Sequence, residues 1–170
     1  RRASSDVSRQ SVNPERGSGF TLIEMMITLA IIAILIAMAL PLTELTTRRA
    51  KEQELRRSLR EIRDALDNYR AAWDDGRIER KLGESGYPKS LELLAEGVEN
   101  VRDPKKTRIY FLRRVPPDPF GGDAGQPPAA TWGRRAYASP PDDPAAGDDV
   151  FDVFSRSNAI GLDGRPYRQW

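Results

Sequence analysis

The sequence predicts an α+β protein in which one long N-terminal helix packs against a small antiparallel β-sheet. Three observations predict it. Residues 20–42 are apolar almost without interruption, about the length a helix needs to cross the hydrocarbon core of a bilayer. Beyond Pro41, Leu55, Leu59, Ile62, Leu66, Tyr69 and Trp73 recur at steps of 4, 3, 4, 3 and 4, forming one apolar stripe on a helix whose other faces are charged. The rest of the chain holds short β-prone runs between Gly- and Pro-rich punctuation, and such strands can cover the stripe as a second layer.

Residues 1–19 are polar, rich in Arg, Ser and Gly and without periodicity; they read as a leader. The apolar run that follows contains Glu24, where an unpaired carboxylate in lipid costs about 2–3 kcal/mol or more. Near its far end Pro41 removes one helical hydrogen bond and permits a bend. Residues 43–75 continue the helix in amphipathic form. Glu52–Arg56, Arg60–Asp64 and Arg63–Asp67 are spaced as i,i+4 ion pairs on its outer faces, and Asp74-Asp75-Gly76 is a stop signal.

Residues 76–170 must supply the layer that covers the stripe. Tyr87-Pro88-Lys89-Ser90 reads as a turn, with Ser90 capping a short helix that carries Leu91, Leu93 and Leu94 and ends at Gly97. Ile109–Leu112 is a strand signal stopped by Pro116, Pro117 and Pro119. Thr131–Ala138 and Val150–Phe154 are two more. The tail beyond is rich in turn residues, and no internal repeat interrupts this plan.

Composition narrows the chemistry. Of 170 residues 31% are charged, and the mean hydropathy of −0.58 hides the apolar N-terminal run. A net charge of +2 without an aromatic-studded basic patch speaks against nucleic acid as a partner. The absence of Cys and His removes disulfides, thiol nucleophiles, Cys/His zinc sites and the commonest general base. An acid–base pair could be imagined from Asp148 and Asp152, but an acidic turn exposed to water accounts for both. No enzymatic activity is expected.

At the start of the apolar run, Gly19-Phe20-Thr21-Leu22-Ile23-Glu24 resembles the signature of type IV pilins and type II secretion pseudopilins. The resemblance implies cleavage by a prepilin peptidase between Gly19 and Phe20 and N-methylation of Phe20. It makes Glu24 the assembly glutamate, and Pro41 falls where the family's helix carries a proline. It further implies a bacterial inner-membrane protein of single-pass topology with a periplasmic head. Its partners would be copies of itself, the peptidase, minor pseudopilins and the secretion platform. The physics agrees: cleavage would create a cationic α-amine at Phe20 able to neutralise a neighbour's Glu24 in one axial register only. Residues 20–42 would then serve first as an anchor and afterwards as the filament core.

Two other readings of this segment fit less well. Ala37-Met38-Ala39 has the form of a signal-peptidase site behind a positive n-region. The apolar run is longer than an ordinary signal core, however, and Glu24 would lie inside it. A generic membrane anchor explains the length but not the order of residues 19–24.

The head is also similar to the major pseudopilins of type II secretion, in Tyr87-Pro88, in residues 110–121 with Asp118-Pro119-Phe120-Gly121, in Trp132-Gly133, in Asp149–Ser155 and in Leu162-Asp163-Gly164 with Tyr167 and Trp170. A surface pilus subunit for adhesion or motility is the alternative within the superfamily. Major pseudopilins bind calcium in the last loop, which would assign Ser155, Asn158 and Asp163 as ligands here. Asp163 is the sole acid in residues 155–170, whereas calcium takes six to eight oxygens. Either the loop recruits Asp148, Asp149 or Asp152, or the site is lost and Asp163-Gly164 is a plain turn.

Overall fold

The computed structural model describes residues 19–121 and 125–170; of residues 38–43 it describes the backbone but not the side chains. The leader expected over 1–19 therefore lies outside the described residues except for Gly19. A single helix, α1 (Leu22–Asp74), is continuous through position 41, and the bend expected at Pro41 falls among the side chains that are not described. Among the described residues, those up to Thr43 and those of Glu44–Trp170 form separate compact units.

From Glu44 onward α1 carries the predicted stripe. Leu55, Leu59, Ile62, Leu66 and Tyr69 are buried and Trp73 is half-buried, with Ala65 and Ala72 filling the shallower positions. Burying a Leu or Ile side chain contributes roughly 1.5–3 kcal/mol, so this stripe is the main reason the head holds to its helix. α1 ends where the Asp74-Asp75-Gly76 signal falls, Gly76 turning the chain at φ 67°.

The covering layer is α2 (Glu92–Glu96), two short hairpins and the tail. β1 (Val98–Glu99) pairs antiparallel with β2 (Arg108–Ile109), and β3 (Trp132–Arg135) with β4 (Asp152–Ser155). The expected single sheet is thus two separate two-stranded ones. The run Ile109–Leu112 stops being a strand after Ile109 because the amides of Phe111 and Leu112 are both claimed by the Leu94 carbonyl, at 3.0 and 2.9 Å. Thr131 falls in a 3-10 turn, Pro128–Thr131, rather than in a strand. Its hydroxyl accepts the Asp118 amide at 2.9 Å and donates to the Pro128 carbonyl, which fastens the Asp-Pro turn to β3.

Ser90 does not cap α2; the capping position is Leu91, with no side-chain cap. Gly97 does end it, at φ 78°. None of the three expected i,i+4 pairs is formed: Arg56, Arg63 and Glu52 engage the tail instead, and the i,i+4 pairs present are Arg48–Glu52 and Arg70–Asp74. Across the β3–β4 hairpin Gly133 faces Phe154. A Cβ at 133 would sit 2.2 Å from the Phe154 ring, so the ring lies flat on bare backbone, a contact that lends a side chain to a position lacking one.

Candidate functional site

The start of α1 and the C-terminal tail hold the residues singled out by the sequence. At the first, Gly19 and Phe20 precede the helix, and both are exposed. A side chain at position 19 would meet nothing within 4 Å, so nothing in the fold of this chain itself demands glycine there. Thr21 is the helix cap: its hydroxyl accepts the Glu24 amide at 3.2 Å and its carbonyl the Met25 amide at 3.1 Å. Thr21-Leu-Ile-Glu24 has the spacing of a capping box, a signal in plain view that the reading of Glu24 as an assembly residue passed over. Glu24 lies exposed in the first turn, where the helix dipole favours a carboxylate.

From Leu22 to Ala37 the helix exposes apolar side chains on every face, with Leu22, Ile23, Met26 and Leu29 each more than half exposed. A helix that is apolar all round needs lipid or other helices as its solvent. The described side chains of the segment end at Ala37, and no helix among the described residues is long and apolar enough to cross a membrane.

At the other end, residues 159–170 are fastened to one face of α1 by Arg48, Glu52, Arg56 and Arg63. Glu52 is buried, and its Oε1 accepts the Leu162 amide and the Tyr167 hydroxyl, each at 2.8 Å. Arg48 donates to the Tyr167 hydroxyl oxygen at 3.3 Å and to the Ile160 carbonyl. Arg63 reaches Asp152 at 2.8 Å, the Val153 carbonyl at 3.1 Å and the Trp170 carbonyl at 2.9 Å. Tyr167 is itself buried, stacked on Phe120 at 4.1 Å and edge-on to Trp170. Burial, reinforced by the Glu52 carboxylate, pushes its hydroxyl above the ordinary tyrosine range.

Asp163 closes the turn before this anchor. Its carboxylate accepts the Arg165 amide at 3.0 Å, the Arg165 guanidinium at 3.1 Å and the Arg56 guanidinium at 3.4 Å. The Arg165 amide, then the two guanidiniums, hold it below the usual carboxylate range. Arg56 in turn lies 4.2 Å over the Trp170 ring.

The residues named for calcium do not fit that ion. Ser155 is fully buried, its hydroxyl accepting the Ser157 amide at 3.1 Å, while Asn158 is exposed. Asp163 faces two arginines. Of the acids that could be recruited, Asp149 accepts the Tyr137 amide and Asp152 pairs with Arg63 and Arg135, while Asp148 is exposed. Among the described residues no three acidic side chains converge.

Sequence reasoning missed the Glu52 anchor, although a signal was present. Counting back from Leu55 by three, Glu52 occupies the apolar stripe's own phase, and a charge there must find partners once buried.

Comparison with known proteins bears on both ends. Residues 16–40 match the prokaryotic N-terminal methylation motif. A type II secretion system core protein G of Klebsiella michiganensis is 30% identical over 109 residues, 62% of this chain and 69% of that protein. One from Pseudomonas aeruginosa is 32% identical over 61% of this chain and 68% of its own length. One from Vibrio cholerae is 28% identical over 87% and 82%. No solved structure matches significantly. With the methylation motif at its helix start and these relatives aligned over most of their length, the chain belongs to the family of type II secretion system core protein G.

Proposed function

We propose that this chain is a structural subunit of a type II secretion pseudopilus, cut between Gly19 and Phe20 by a prepilin peptidase, methylated on Phe20 and polymerised from the bacterial inner membrane to drive protein export. The observation that carries the reading is the junction itself: an exposed Gly19-Phe20 pair followed at once by a Thr21-capped helix, apolar all round to Ala37, with Glu24 in its first turn. Residues 20–42 anchor the subunit and the head stands in the periplasm. Residues 43–75 and 76–170 are then the amphipathic half of the helix and the domain that covers it.

The mechanism follows from charge. After cleavage the α-amine, ordinarily titrating near pH ~8, sits one residue before the cap. Glu24 is costly in an apolar core unless neutralised. A neighbouring subunit that brings its Phe20 amine to Glu24 removes that cost, and one offset along the axis does not. Register is thereby fixed while the apolar faces exchange lipid for helix. Copies of the chain, the peptidase, minor pseudopilins and the membrane platform are the partners. The role is structural and not catalytic. The likeness to core protein G favours this over a surface pilus for adhesion or motility.

Mass spectrometry of the mature protein from its native host tests the reading. The expected N-terminus is N-methyl-Phe20; a chain beginning at Leu40, behind the Ala37-Met38-Ala39 signal-peptidase form, would overturn it.

A further inference from the structure

We infer that the last loop of this head is closed by guanidinium groups carried on the chain itself, so that its stability draws on no divalent cation. The loop contains Asp163 as its acid, and both oxygens are already engaged, Oδ1 by the Arg165 amide and Oδ2 by the guanidiniums of Arg165 and Arg56. The other carboxylate that touches the loop, Glu52, gives its Oε1 to two donors and has the Arg48 guanidinium 3.7 Å away. Three arginines, Arg48 and Arg56 on α1 and Arg165 in the loop, thus surround these two carboxylates.

A calcium ion needs six to eight oxygens at about 2.3–2.6 Å, several of them anionic. To bind here it would have to displace both guanidiniums from Asp163 and then remain within a few ångströms of them, where like charges repel. Of the neutral side chains proposed as ligands, the Ser155 hydroxyl is buried and already accepts the Ser157 amide. The guanidiniums supply what the cation would: positive charge on the turn's carboxylate and a bridge from the loop to the helix. Arg56 adds a further contact by lying on the Trp170 ring.

The inference concerns the head alone and stands whether or not the chain forms filaments. It is tested on the full chain in detergent by thermal unfolding with millimolar calcium and with chelator. The expected melting temperatures coincide. A bound ion at a hundred times its dissociation constant would raise the value by roughly 10 °C, and such a rise overturns the inference. As a second measurement, Asp163→Asn and the double variant Arg56→Ala/Arg165→Ala are each expected to lower the melting temperature by roughly 1–4 °C. Combined, they should lower it by little more than either alone. Full additivity would show that the arginines do not act through Asp163 and would equally overturn it.

Discussion

Glu52 on the helix and Tyr167 near the end of the chain meet through a 2.8 Å hydrogen bond between two buried side chains. The same carboxylate oxygen takes the Leu162 amide, so a single atom fixes two points of the tail. Glu52→Ala strands a buried hydroxyl and a part-buried amide and is expected to cost about 2–3 kcal/mol of stability, read from urea or thermal unfolding. Glu52→Gln keeps an acceptor and should cost less than half of that. Equal losses for the two variants would mean that the contact is not a hydrogen-bonded anchor.

The pH dependence of the tail has two limbs of opposite sign. Asp163 titrates below its unfolded value, so its contribution is complete above the usual carboxylate range and disappears as pH falls through the folded value. Tyr167 titrates above its unfolded value; its contribution is complete below about pH 10 and disappears as pH rises further. Tyr167→Phe should reduce the alkaline limb, to which buried Tyr69 and half-buried Tyr87 also contribute, and leave the acid limb alone. Asp163→Asn should reduce the acid limb, which Asp103 shares, and leave the alkaline limb alone. Unfolding midpoints measured across pH would show whether each substitution acts on its own limb.

Gly133→Ala places a methyl group into the Phe154 ring, which stands 2.2 Å from the position of the added atom. The ring must leave the hairpin or the strands must part, for an expected loss of about 1–3 kcal/mol. Adding Phe154→Leu should recover part of the loss. A neutral single variant would argue against the close cross-strand contact.

On the proposed mechanism, Glu24→Val removes the register charge while leaving the Thr21 cap and the Gly19–Phe20 junction untouched. Processing should proceed normally, as judged by the shift in mass, and filaments should be absent by electron microscopy. Normal filaments from this variant would refute the pairing of Glu24 with a neighbour's amine.

The helix was legible because its evidence is periodic and local: Leu55, Leu59, Ile62 and Leu66 announce their burial by spacing alone, and Gly76 and Gly97 announce where helices stop. What could not be read depends on partners far away in sequence. Arg56 and Arg63 have acids four residues away, yet bind Asp163 and Asp152 because the tail folds back over them. Ile109–Leu112 has β character, but the Leu94 carbonyl takes the amides that a ladder would use. At the junction the motif stood out and the cap inside it did not, since Thr21 and Glu24 invite a functional reading before a conformational one.

The tie between Glu52 and Tyr167 spans 115 positions of sequence, and that between Arg63 and Trp170 spans 107. A polypeptide made from its N-terminus therefore presents the apolar stripe of α1 long before the residues that close over it exist. Loop-closure entropy must be met before these distant contacts give any return, so the head is committed to finishing late. A chain stopped short of residue 160 lacks the Leu162 amide and the Tyr167 hydroxyl that Glu52 accepts, and leaves the stripe partly bare.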